Sequence, residues 1–176
     1  MASDYLLQID GIKGESQDDK HKDTIEIMSF SWGATNTGIS ASGTGGGAGK
    51  VSFQDLHVMK SVDKASPLLM LACASGQHIK SAVLYVRKQG GNQQDYYTVT
   101  LTDLLVSSFK SGAGPLATTR DSSAEIDLEQ ESGPVPVDFV SLNFSKISFE
   151  YKPQKPDGSL DSAISAGWDV KANKKQ

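Results

Sequence analysis

Apolar and polar residues alternate with a period of two along most of the chain, the pattern of strands with one dry and one wet face. "YLLQID" places Tyr5, Leu7 and Ile9 together. "TIEIMSFSWG" sets Glu26, Met28, Phe30 and Trp32 opposite Ile25, Ile27, Ser29 and Ser31. After Gly49, Val51 and Phe53 share a face, and the phase then moves to Leu56 and Val58. A bulge near Gln54–Asp55 is expected there. "HIKSAVLYVRKQG" and "DYYTVTLTDLLVSSFK" flank the turn formers "GGNQQ", which predicts a hairpin. Tyr97, Val99 and Leu101 share one face of its second arm. Ile147, Phe149 and Tyr151 alternate with Ser148, Glu150 and Lys152 in a further strand, and "AGWDVK" predicts a last short one.

One segment breaks the period. In "DKASPLLMLACASGQ", Ser66 suits the N-cap, Pro67 the first helical turn and Gly76 the residue past the end. The helix between them is apolar on almost every side, so it is expected to pack against a sheet rather than lie on a wet surface. The sum is seven or eight strands and one helix. We expect a mainly β, single-domain chain over residues 1–176: a two-sheet, β-barrel-like domain with one short α-helix and an extended Gly-rich loop. The interior is filled by Trp32, Phe53, Leu69, Phe149 and Trp168 among others.

Composition narrows the function more by exclusion than by assignment. A formal net charge of −4 with scattered basic residues lacks the basic face a nucleic-acid binder needs. The single cysteine, Cys73, lies in an apolar run and reads as a buried, inert thiol; alone it makes neither an intrachain disulfide nor a cysteine-based metal site. The start "MASDYLLQID" lacks the basic region and apolar run of a secretory signal, and no stretch reaches the length of a membrane span. Synthesis and folding in the cytoplasm are expected.

Candidate chemistry is equally sparse. "GTGGGAGKVS", residues 43–52, looks like a phosphate cradle, yet alignment on Gly49–Lys50 puts Thr44 at the first glycine of a P-loop and Val51 at its hydroxyl position. A strand, not a helix, follows, so neither a P-loop nor a dinucleotide-binding turn fits. His21, His57 and His78 share no metal-ligand spacing. "GISAS" fails the nucleophile-elbow pattern at its last position. No catalytic, metal or cofactor residue is assigned.

The quoted stretches "IDGIKGES", "SFSWG", "GGGAGKVSFQDLHVMKSVDKASPLLMLACASGQH", "LTDLLVSSF" and "VSLNFSKISFEYKPQKPDG" resemble the hemolysin-coregulated protein family, Hcp, of the bacterial type VI secretion system. The resemblance covers nearly the whole chain in the family's order and is least familiar over residues 114–138. It implies a homohexameric ring, stacked into a tube inside a contractile sheath, with a spike protein at the tip and small effectors carried in the lumen. It implies assembly in the cytoplasm followed by secretion without a cleaved signal peptide, and no nucleic-acid or membrane partner. By the same resemblance, Gly43, Gly45, Gly46, Gly47, Gly49 and Lys50 form the loop that docks on a neighbouring ring. Ser31, Ser66 and Ser75 face the lumen, with the helix on the channel side. Two readings compete: a monomeric β-barrel that binds a small apolar ligand, which the bulky interior disfavours, and a hydrolytic enzyme. No appended toxin domain is expected after "GWDVK".

Overall fold

The structure is a computed structural model and describes residues 3–36, 50–88, 93–113 and 135–176. The glycines from Gly43 to Gly49, the hairpin turn at 89–92 and most of the unfamiliar region 114–138 lie outside the described residues.

The fold is mainly β and barrel-like, with one helix. Its hub is β9 (Val137–Tyr151), which pairs antiparallel with β8 (Asp95–Gly112) along one edge. Its other edge is shared. The first half of β9 pairs with β6 (Leu56–Ser61), and the second half pairs with β10 (Ile164–Asp169). From β8 the sheet continues through β7 (Ile79–Lys88), β1 (Ser3–Ile9) and β2 (Ile25–Ile27). The sequence-predicted hairpin is β7–β8, in register from Ile79↔Leu104 to Arg87↔Asp95. On the far side β6 pairs with β3 (Ser29–Ser31), which follows β2 after a single residue, Met28. The path therefore comes round on itself through the covalent chain at Met28, not through a ladder between β2 and β3.

That kink corrects the simple alternation expected for residues 24–33. Ile25 and Ile27 are buried, the phase breaks at Met28, and Phe30 and Trp32 then pack on the same core. Met28 itself is half exposed, and its N–H bonds Met59 O at 2.8 Å. The strand must change partner here, and a bend that skips one side chain keeps both halves facing inward.

The second phase change, at Gln54–Asp55, is where the chain leaves one sheet for another. β4 (Ala34–Asn36) and β5 (Val51–Phe53) form a separate two-stranded sheet at the foot of the glycine segment, and β6 starts after the break. With the short β11 (Lys174–Lys175), the described residues hold eleven strands, more than expected, because three-residue strands carry little periodicity.

α1 (Ser66–Ser75) has Pro67 in its first turn and ends at Gly76, whose left-handed φ of 62° favours glycine. The N-cap is Ala65, not Ser66. Leu69 and Ala72 are buried, but Leu68, Met70 and Leu71 are about half exposed. The helix thus packs against the sheet, as expected, through one face, and its other apolar side chains stay exposed. Of the expected core residues, Leu69 is fully buried, whereas Trp32, Phe53, Phe149 and Trp168 are partly buried and pack against a core of Leu, Ile and Val. Cys73 is only partly buried.

Candidate functional site

Three features stand out on this scaffold: a sealed ionic cluster, a polar row across three strands, and an aromatic groove.

The cluster is built where β6 and β9 lie opposite each other, with Lys60 paired to Asp138. Both side chains are fully buried. The Lys60 ammonium reaches Asp63 at 2.8 Å, Asp138 at 3.1 Å, Ser66 Oγ at 2.9 Å and Ser61 O at 2.8 Å. Ser66 Oγ also accepts from Asp63 N and donates to Asp138. Burial pushes the Asp138 carboxyl up, but hydrogen bonds from Ser111, Ser66 and Lys60, with the Lys60 charge, outweigh it and hold the group below the usual carboxylate range. This corrects the expectation that Ser66 faces the lumen. Its hydroxyl is spent inside the fold, joining the start of α1 to β6 and β9. A second sealed cation, Arg87, pairs with Asp18 and Asp95 and pins the β1–β2 loop to the hairpin. His21 adds a 2.9 Å contact to Asp95 and stacks on Tyr85.

The polar row follows from strand register. Ser31 on β3 lies opposite His57 on β6, which lies opposite Ser141 on β9. His57 Nδ1 and Ser141 Oγ are 2.8 Å apart. Beside them Asp55 accepts from Ser107 at 2.5 Å and from Asn143 at 2.8 Å. Ser31, His57, Ser107 and Asn143 are exposed. A Ser–His pair becomes a nucleophile when a third group orients the imidazole. Asp55 is engaged with Ser107 and Asn143 instead. Of this row the sequence singled out Ser31 alone. The signal for the rest was His57, Ser141 and Asn143 at the outward positions of β6 and β9, a face that Met59 and Phe139 interrupt. Ser75 is exposed at the far end of α1, away from these strands in sequence and pairing.

The groove holds roughly 630 Å³ between the β4–β5 sheet and the β9–β10 ladder, with Trp32, Phe53, Phe149 and Trp168 among its walls. Trp32 donates to the Tyr97 hydroxyl at 2.8 Å and meets Phe149 edge-on, with ring centroids 5.7 Å apart. No charged side chain lines it among the described residues. Lys50, the one loop residue described, is exposed. Gly43, Gly45, Gly46, Gly47 and Gly49 lie outside the described residues. Among the described residues no group of His, Cys, Asp and Glu is arranged to hold a metal ion, and no helix is long and apolar enough to cross a membrane.

Residues 6–151 match the family described as type VI secretion system effector, Hcp. The chain belongs to the Hcp family. It is 40% identical over 175 residues to protein hcp1 of Pseudomonas aeruginosa, covering 98% of each chain. Among solved structures, it superposes on Hcp1 from Salmonella typhimurium with a TM-score of 0.74 at 36% identity, over the full length of both chains. A structure titled as a type six secretion system protein gives a TM-score of 0.83 at 29% identity, covering 99% of this chain and all of the other. This Hcp chain is therefore a type VI secretion protein of mainly β fold with one helix.

Proposed function

We propose that this Hcp chain is a tube subunit: six copies close into a ring, rings stack, and the tube is expelled from the cell with small effector proteins in its lumen. Assembly takes place in the cytoplasm, in contact with the contractile sheath and the spike, and export needs no cleaved signal peptide. The chain acts as a structural carrier and not as an enzyme. The glycine segment with Lys50 docks on the next ring through a weak contact, on the order of a few kcal/mol, so that a tube can grow and later dissolve.

The observation that supports this reading best is the polar row Ser31–His57–Ser141 with its Asp55, Ser107 and Asn143 flank. A water-filled passage needs a wall of hydrogen-bonding groups that grips no single cargo. An exposed apolar helix makes a poorer wall, because water leaves it readily and it would hold apolar surface too tightly. We therefore assign the lumen to β3, β6 and β9, and α1 to contact with protein.

Ser141→Cys in a Cys73→Ser background tests the assignment. In assembled rings a small maleimide should label position 141 as fast as in dissociated chains. A maleimide on a polymer wider than the pore should label rings at least tenfold more slowly. Equal rates for the polymer in both states would remove this face from the lumen.

A further inference from the structure

A lysine-lined recess shares no residue with the polar row or the aromatic groove. It holds roughly 650 Å³ at the turn after β1, beside the first turn of α1. Three lysines border it: Lys13 and Lys22 from the two arms of the β1–β2 loop, and Lys64 from the link between β6 and α1. Asp10 and Asp23 are its carboxylates. Three cations against two anions make a local positive balance in a chain of net charge −4.

Backbone bonds hold the recess in shape. Asp10 N donates to Ser81 O at 3.0 Å, Gly14 N to Asp23 O at 2.8 Å and Asp23 N to Ser16 O at 3.0 Å. Lys64 N donates to Glu15 Oε1 at 3.0 Å, which ties the third lysine to the same loop. Gly11 turns the chain at φ 81°, and the space where its side chain would stand is open. Asp23 is the unusual residue. Its φ of 62° is left-handed, a conformation that persists in a residue with a side chain only where neighbours enforce it. In that conformation one carboxylate serves two lysines: Oδ2 lies 3.3 Å from Lys13 Nζ, and Oδ1 lies 3.9 Å from Lys64 Nζ. Sharing neutralises neither ammonium fully, and both lysines stay half exposed or more. Lys22 and Asp10 make no ion pair among the described residues. Like charges gathered at one recess repel, and an anion among them relieves that. Leu68, about half exposed, adds an apolar wall. The volume is that of a small organic ligand rather than of a bare ion.

We propose that this recess binds a small phosphorylated molecule, with its phosphate among Lys13, Lys22 and Lys64 and its organic part against Leu68. Lysines act as point charges on mobile stems, so three of them favour an anion of more than one charge over a single carboxylate. A recess admits a free solute more readily than a headgroup held in a bilayer. Asp10 opposes any anion there and keeps the site weak.

Calorimetric titration of the purified chain with pyrophosphate, at salt low enough that exposed charges are not screened, tests the site. One pyrophosphate per chain is expected. Lys22→Gln/Lys64→Gln should weaken binding about tenfold, the sum of two exposed charge contacts. Lys174→Gln/Lys175→Gln removes the same charge from exposed β11 and should change it less than about twofold. Asp10→Asn should tighten binding about threefold, a gain that a damaged fold cannot produce. An equal loss in the two lysine variants, or no binding of pyrophosphate by the parent protein, would overturn the site. A second arm uses vesicles of phosphatidylcholine with and without phosphatidic acid, and neither should retain the chain. Retention by phosphatidic acid that pyrophosphate does not reverse would overturn a soluble ligand. The ring reading is untouched by any of these results.

Discussion

Replacing Lys60 by Met removes an ammonium that is fully buried and leaves Asp138, also fully buried, with only hydroxyl partners nearby. Breaking such a pair from one side costs about 3–5 kcal/mol, because the remaining charge has neither water nor a counter-ion. For a chain of this size that is roughly 6–20 °C in Tm. Asp63 softens the loss little, since it is partly exposed and can turn to solvent. Lys60→Met/Asp138→Leu removes both charges and should recover most of the loss, as apolar replacements of buried pairs do. Urea denaturation of all three proteins at one protein concentration measures this directly. The sign with pH follows from Asp138, whose folded pKa lies below the unfolded value of about 3.9. Its contribution is complete above that value and disappears as pH falls through the folded pKa. A loss under about 1 kcal/mol in Lys60→Met, or a double variant weaker than the single one, would refute the reasoning.

The remaining expectations are briefer. Gly14→Ala should destabilise by about 1–3 kcal/mol in urea denaturation, since an added Cβ would sit 2.6 Å from Ile25 Cα and nearer still to Thr24 O, both backbone atoms that cannot step aside. Acid unfolding, followed by circular dichroism, should set in only below about pH 4, because Asp18, Asp103 and Asp138 are all held below the usual carboxylate range and stabilise the fold above it. For Asp103 the causes are hydrogen bonds from Lys171, Ser145 and His78. Gly46→Leu/Gly47→Leu should leave the fold and the ring intact by circular dichroism and native mass, yet reduce stacking and the amount of protein recovered outside producing cells; normal export would remove the docking role from the loop.

The strands with long alternation, β1 and β7 to β9, were legible because one face of each is buried by neighbours over six residues or more. Met28 was not, because a bend that restores the inward phase looks in sequence like continuous alternation. Ser66 illustrates a different limit. Ser-Pro at a helix start reads as a cap, and only the fold brings Lys60 and Asp138 close enough to claim the hydroxyl. Nothing in the sequence marks Lys60 and Arg87 as buried, since their partners lie 69 to 78 residues away. The polar row was half visible: alternation marks Ser31, His57 and Ser141 as outward, but their alignment depends on register between three strands.

The mass of the purified chain under native conditions bears most directly on the central claim that this surface is made to meet copies of itself. Across a tenfold range of concentration the account predicts six chains of 18.8 kDa, about 113 kDa, with annular particles by electron microscopy. A single species of 18.8 kDa at the highest concentration reached would contradict it.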